Sequence, residues 1–522
     1  MQLSTDKRRL MPVLALGFVA GLAPGLTAGS ASAADGTARP ASAPTARPDG
    51  LAPYVQQKLT WKRCAPDKPA AFRCATLKVP LDYRAPEGKR IDVAISRMET
   101  SVPGKRRGVL TFNPGGPGDP GLDLPLDVGQ KLPRAVRDQY DMVGFDTRGV
   151  GRSTPVRCGL TAAEQHYPRA TRTTGDAAAN EAWARTFAAK CRAAAGDRLP
   201  HMTTRNTARD MNLLRAVLGE KKLNYFGVSY GTALGAVYMQ LFPHRADRFV
   251  LDSAVDPKRM WRGTFQSWAS ESEPAFERWA KWTAERDGTY HLGTSPAAVT
   301  RTVWKLVARA DATPIATADG KLDGAGVREA LRPAFFSVRQ GAEAVVQLKR
   351  AAKGHGTLHL PATAQPDDNA TASQHAVFCA DAAWPRDPKT YHRDAFRDGA
   401  RYPLYGDFAS TIIPCAFLPR GTEPVTEVDN RNKALIVQNE WDAATPLTVG
   451  RGMHRALKGS RMVTVDEGEG HGVVFGEVTN SCAANVAMGY LATGTLPPRD
   501  VTCHATPDRS PAQTAPRPFT GR

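Results

Sequence analysis

Short apolar runs rich in β-branched and aromatic residues alternate along this chain with longer segments of helical periodicity. Ile91-Asp-Val-Ala-Ile95 alternates with period two and predicts a strand. The runs 109–112, 142–145, 225–228, 249–251, 435–437 and 462–465 predict further strands, several of them handing over to Gly, Asp or Asn. Strands interleaved with helical segments predict an α/β fold around a parallel sheet. Between about 255 and 430 the strand signal fades and Phe276, Trp279 and Trp282 recur at helical spacing, which predicts a helical insertion between sheet strands. No internal repeat is visible.

The ends of the chain have a different pattern. Lys7, Arg8 and Arg9 precede a short apolar stretch broken by Pro and Gly, and Ala31-Ser32-Ala33 follows as a small-residue cleavage site. Residues 1–33 are therefore expected to be an export signal, with both the general and the twin-arginine routes open. Residues 34–50 and 504–522 are rich in Pro and lack periodicity, so a disordered leader or pro-segment and a disordered tail are expected. With 522 residues, 42% hydrophobic and 23% charged, the chain is long enough for a large core and is not globally disordered. No apolar run reaches the roughly 18 residues of a membrane span, so no stable membrane anchor is expected. The formal charge of +18 is spread along the chain, as on a solvated surface, and no nucleic-acid partner is predicted.

Eight cysteines, Cys64, Cys74, Cys158, Cys191, Cys379, Cys415, Cys482 and Cys503, fit an oxidising compartment and a secreted protein. Their spacing lacks C-x-x-C and zinc patterns, so no metal is expected. Nearest-neighbour pairing (64–74, 158–191, 379–415, 482–503) is the simplest scheme. Each bridge is typically worth ~2–4 kcal/mol.

The strongest chemical signal is Gly227-Val-Ser229-Tyr-Gly231, between the apolar run Tyr225-Phe226 and a helix pattern over 232–240. A serine on a sharp strand-to-helix turn is a nucleophile candidate, with its hydroxyl at a helix N-terminus that favours negative charge. Such a serine needs oxyanion donors and a base. Thr111-Phe-Asn-Pro-Gly-Gly-Pro-Gly118 follows a strand and offers Gly115, with Gly116 next in line. The second donor is the N–H of Tyr230. Of eleven histidines, His471 in Gly470-His-Gly472 follows a strand-like run and comes after the serine in chain order; His201, His244 and His454 have packing or surface contexts. Asp442 lies just beyond the strand at 435–437 and is the candidate acid, with Asp256 as its rival.

The ordered set of motifs resembles the secreted tripeptidyl aminopeptidases of actinomycetes, relatives of the prolyl iminopeptidases with the α/β-hydrolase fold. The resemblance spans about residues 55–505. It rests on Cys74-Ala-Thr-Leu-Lys-Val-Pro-Leu-Asp-Tyr83, Asn113-Pro-Gly-Gly-Pro-Gly118, Asp146-Thr-Arg-Gly-Val-Gly-Arg-Ser153, Gly227–Thr232, Leu251-Asp-Ser-Ala-Val-Asp-Pro257, Asp442-Ala-Ala-Thr-Pro446, Gly470–Gly472 and the segment from Cys482 to Cys503. It implies Ser229 as nucleophile, His471 as base and Asp442 as orienting acid. It also implies a mostly parallel central sheet, with core parts at 51–254 and 431–503 and a helical cap at 255–430. Three places depart from the family pattern: Asp119-Pro120 where Ser is common, Ala443-Ala444 for Pro-Val, and Ser253 for Gly.

The expected activity is a cofactor-free serine exopeptidase, acting as a monomer on peptides with a free N-terminus. That amine requires a carboxylate, for which Glu271, Glu273 and Glu277 in the insertion are candidates. The alternatives are an esterase or amidase acting on other small molecules, and a non-catalytic binding protein of the same fold. The complete Ser, His, Asp and Gly-rich set argues against the last.

Overall fold

The computed structural model describes residues 48–165, 169–317, 320–331, 337–354, 367–476 and 479–505. The expected export signal, almost all of the leader and the tail from 506 onward lie outside the described residues. In chain order the strands are β1 (Lys62–Arg63), β2 (Arg73–Pro80), β3 (Arg90–Met98), β4 (Gly108–Asn113), β5 (Tyr140–Phe145), β6 (Leu223–Val228), β7 (Ala246–Asp252), β8 (Ile315–Thr317), β9 (Gly320–Leu322), β10 (Leu435–Trp441), β11 (Arg461–Glu469) and β12 (Val501–His504).

One sheet takes ten of them in the order β1-β2-β3-β5-β4-β6-β7-β10-β11-β12. Pairings from β1 to β5 are antiparallel. Those from β5 to β12 are parallel. The central strands β4, β5 and β6 are buried almost throughout, which explains why they are continuous apolar runs rather than alternating ones. β3, nearer the edge, alternates buried and half-exposed positions as Ile91–Ile95 predicts. Each predicted run lies within an observed strand.

Three sheet strands carry too little pattern to be seen in the sequence. β1 and β12 have two and four residues, and β2 is interrupted by Lys78 and closed by Pro80.

Between β7 and β10 the regular elements among the described residues are helices apart from the antiparallel pair β8–β9, whose three-residue strands are too short to show a period. The long helices here are Arg262–Ala284, Pro296–Ala312, Val338–Ala351, Asp368–Asp381 and Pro388–Arg401. The first three share an apolar core of their own, in which Phe276, Trp279, Val303, Val345 and Leu348 are buried together, whereas Phe378 and Tyr391 of the last two join the core that includes the sheet. Trp279 is fully buried, and its indole N–H donates to the Val338 carbonyl at 3.0 Å. Phe276 and Trp279 thus face inward, as their spacing predicts, while Trp282 packs at the margin.

Disulfides join Cys64 to Cys74, Cys158 to Cys191, Cys379 to Cys415 and Cys482 to Cys503. The last ties the helix Ser481–Thr493 to the edge strand β12. Among the described residues no helix is long and apolar enough to cross a membrane.

Candidate active site

β6 ends at Val228, and the helix Tyr230–Leu241 begins one residue later, so Ser229 alone makes the turn. Its φ of 56° and ψ of −121° lie where L-residues are strained, and this turns its side chain out of the strand direction. The turn is held from both sides. The Ser229 N–H donates to the Asp252 carbonyl at 3.0 Å, and the Thr232 hydroxyl donates to the Ser229 carbonyl at 2.6 Å. Gly231 is required by close approach: a Cβ there would lie 2.8 Å from the Asn113 carbonyl oxygen of β4.

His471 lies in the loop after β11. Its Nδ1 is 2.9 Å and 3.1 Å from the two carboxylate oxygens of Asp442, just beyond β10. The Asp442 side chain is fully buried, whereas His471 keeps 22% of its side-chain surface, open toward the cavity it lines. Asp442 also accepts the N–H groups of Ala444 and Thr445, each at 2.9 Å, and the Thr445 hydroxyl at 2.8 Å. Burial alone would raise its carboxyl. The His471 ring, and the Thr445 N–H and hydroxyl, outweigh that and hold it below the ordinary carboxylate range.

The histidine loop is fastened along its length. The Asn439 amide donates to the carbonyls of Glu469 and Gly470 at 2.8 and 2.9 Å. The Ser253 hydroxyl accepts the Gly472 N–H at 2.8 Å. Asp252 accepts the N–H groups of Val473 and Val474 at 2.8 and 2.9 Å, and burial pushes its carboxyl up to about 6. Asp256, the rival acid, instead caps the short turn Pro257–Arg259 through the Lys258 N–H at 2.9 Å.

Ser229 and His471 line one cavity of about 270 Å³, together with Gly116, Tyr230, Asp119 and Phe475. The helical insertion adds Trp261, Thr264, Phe265, Trp268, Gln374 and Phe378. Its helix Arg262–Ala284 is fixed to the acid-bearing loop, because the Trp268 indole N–H donates to the Ala444 carbonyl at 2.7 Å. Beneath the nucleophile turn, buried Asp381 accepts the Trp261 indole N–H at 3.2 Å and the Thr204 N–H at 2.7 Å. The Thr204 and Tyr230 hydroxyls meet at 3.0 Å.

Two sets of expected site residues have other partners. Gly115 packs against the nucleophile turn, with a Cβ there 2.8 Å from the Val228 carbonyl, but its N–H is committed to the Asn113 side chain at 3.1 Å. It is Gly116 that forms the cavity wall. The insertion glutamates do not line this cavity. Glu273 accepts the Leu404 N–H at 2.9 Å, Glu271 meets the Thr448 hydroxyl at 3.3 Å, and Glu277 is exposed. Among the described residues, the carboxylates lining the cavity belong to Asp119 and Asp252.

Sequence reasoning passed over Asn439, Thr445 and Asp252 as functional residues. Thr445, beside Asp442, and Asp252, after Leu251, lie inside family motifs that could have signalled them, whereas Asn439 lies in none.

Comparison with known proteins agrees with this geometry. Residues 402–503 match the family described as "TAP-like protein". The chain is 37% identical over 475 residues to a tripeptidyl aminopeptidase of Streptomyces lividans, covering 86% of this chain and 87% of that one. It is 29% identical to the serine protease Hip1 of Mycobacterium tuberculosis, over 86% of this chain and 92% of that protein. It is likewise 29% identical to a carboxylesterase B of Mycobacterium tuberculosis, over 87% and 91%. A strained serine turn at the end of β6, a histidine held by a buried aspartate across β10 and β11, and this similarity along most of the chain place the protein in the tripeptidyl aminopeptidase family of α/β-hydrolase-fold serine peptidases.

Proposed function

We propose that the protein is a secreted exopeptidase that releases short peptides, tripeptides foremost, from free N-termini through an acyl-enzyme on Ser229. The observation that carries this reading is the buried Asp442 carboxylate 2.9 Å from Nδ1 of His471, a residue that lines one cavity with Ser229. Held in that tautomer, His471 takes the Ser229 proton on Nε2 as the hydroxyl oxygen attacks the scissile carbonyl. The imidazolium is stabilised by Asp442, which stays ionised. Oxyanion donors are the N–H groups of Gly116 and Tyr230, Gly116 replacing Gly115 because the latter is engaged by Asn113. His471 returns its proton to the departing amine, and the remaining peptide leaves. Water then gives a proton to His471 and attacks the acyl carbon. Collapse frees the short peptide and restores Ser229.

In this reading residues 255–430 act as a cap over a core built from 51–254 and 431–503. The cap's Trp261, Phe265, Trp268 and Phe378 limit how much peptide enters. The four disulfides and the signal-like residues 1–33 support export, and the enzyme acts as a monomer without a cofactor. The similarity to a carboxylesterase favours a second reading, ester hydrolysis at the same triad. Tripeptide p-nitroanilides with free and acetylated N-termini, run beside a p-nitrophenyl ester, separate the two. The peptidase reading expects cleavage of the free peptide and a loss of about tenfold or more on acetylation. Activity confined to the ester, or equal rates on free and blocked peptides, would overturn it.

A further inference from the structure

The loop that follows the oxyanion glycines carries an acidic side chain into the reaction cavity. Asp119 lines the cavity beside Gly116, Ser229 and His471. Its Cγ lies 3.3 Å from where a Cβ on Gly116 would sit, so the carboxylate stands next to the oxyanion loop. Its position is fixed from both directions. Pro120 restricts the backbone of Asp119 to extended conformations. The next two N–H groups, of Gly121 and Leu122, are each anchored at 3.0 Å on Asp146.

Among the described residues this carboxylate has no hydrogen bond and no ion pair. The other lining carboxylate, Asp252, is committed to Val473 and Val474. Desolvation, unopposed by any neighbour, pushes the Asp119 carboxyl up to about 6. A charge in a cavity walled by Trp261, Phe265, Trp268 and Phe378 costs free energy unless a cation joins it, and aromatic faces favour cations as well.

We propose that Asp119 is the substrate-recognising carboxylate of this cavity, pairing with an ammonium or guanidinium group that the substrate brings close to the scissile carbonyl. The inference rests on the peptidase reading for the kind of substrate but not for the existence of the site. Two sources could supply the cation: the α-amine of the acyl peptide, or a basic side chain beside the scissile bond.

The test compares wild type with Asp119→Asn, each normalised to active sites counted with a fluorophosphonate, so that misfolded protein does not enter the comparison. Two substrate ratios are read as kcat/KM: free against acetylated tripeptide p-nitroanilides, and acetylated peptides ending in Lys against norleucine. One ratio should fall about 10–100-fold in Asp119→Asn, chiefly through KM, which is the range for losing one charge-assisted hydrogen bond. A fall in the first ratio identifies the α-amine, and a fall in the second identifies the side chain. If both ratios stay within twofold of wild type, or charged and neutral substrates lose activity alike, the proposal is wrong. Should wild type cleave no peptide, the peptidase reading fails on that observation alone. The alanine and propionate p-nitrophenyl esters then supply the charged-to-neutral ratio, judged by the same fall or its absence.

Discussion

Replacing Asp442 by Asn exchanges one carboxylate oxygen for an NH2 group and leaves the size of the side chain unchanged. In the native site one oxygen accepts the backbone N–H groups of Ala444 and Thr445 at 2.9 Å each, and the other faces His471 Nδ1 at 2.9 Å. An asparagine that keeps its carbonyl toward the two backbone donors presents its NH2 to Nδ1. The ring must then accept there and carry its proton on Nε2, where it cannot take the Ser229 proton. Flipping the amide restores the acceptor for His471 but sets NH2 against two buried N–H groups. Each unmet donor costs about 1–3 kcal/mol, so the escape costs roughly 2–6 kcal/mol. At about 1.4 kcal/mol per tenfold, this route is closed by a factor of about 30 to 10⁴, and serine-protease precedent for the wrong tautomer sets the upper end. We expect kcat/KM on a free tripeptide p-nitroanilide to fall about 30- to 10⁴-fold in Asp442→Asn. The variant should stay folded but be less stable than wild type at neutral pH, because the folded carboxyl is held below its ordinary range. Asp256→Asn should remain within about tenfold of wild type. An active Asp442→Asn beside an inactive Asp256→Asn would refute the reasoning.

Asp119→Asn should be more stable than wild type at pH 8 by an amount on the order of 2–3 kcal/mol, because the folded carboxyl titrates at about 6 against 3.8 when unfolded. A raised carboxyl pKa makes the ionised folded state costly. The advantage of Asn is therefore absent below about pH 4, grows through pH 6 and is constant above it, and urea unfolding that shows no such trend contradicts the assigned environment. Gly115→Ala should lose most activity and about 1–3 kcal/mol of stability, since Gly115 has φ of 112° and a Cβ would stand 2.9 Å from that of Ser229. Wild-type turnover in this variant would show that the oxyanion loop is not packed on the nucleophile turn as described.

The parts of the molecule legible in the sequence are those whose physics is local. β4, β5 and β6 are buried on both faces and so appear as uninterrupted apolar runs. The Ser229 turn is specified by its own glycines, and the Gly231 backbone has no room for a side chain. Asp442 and His471 were visible because each follows a strand at the end where such a sheet presents its loops. What was not legible depends on contacts between distant segments. Gly115 and Gly116 are equivalent in sequence, and only the Asn113 side chain, by taking one N–H, distinguishes them. Glu271 and Glu273 have the right charge on the right helix. Which turn of that helix reaches the cavity is decided by packing against Leu404 and Thr448, more than a hundred residues away. Asp119 is marked in the sequence only as a departure from a family pattern, and its meaning comes from its lack of a partner among the described residues in an aromatic cavity.

The most direct test of the account is covalent labelling of the purified wild-type protein with a fluorophosphonate, followed by peptide mapping. A single adduct on the peptide containing Ser229 is predicted, lost in Ser229→Ala and strongly slowed in His471→Ala, with both variants folded. Labelling that persists in Ser229→Ala, or an adduct at another residue, would contradict the assignment of the nucleophile and the mechanism built on it.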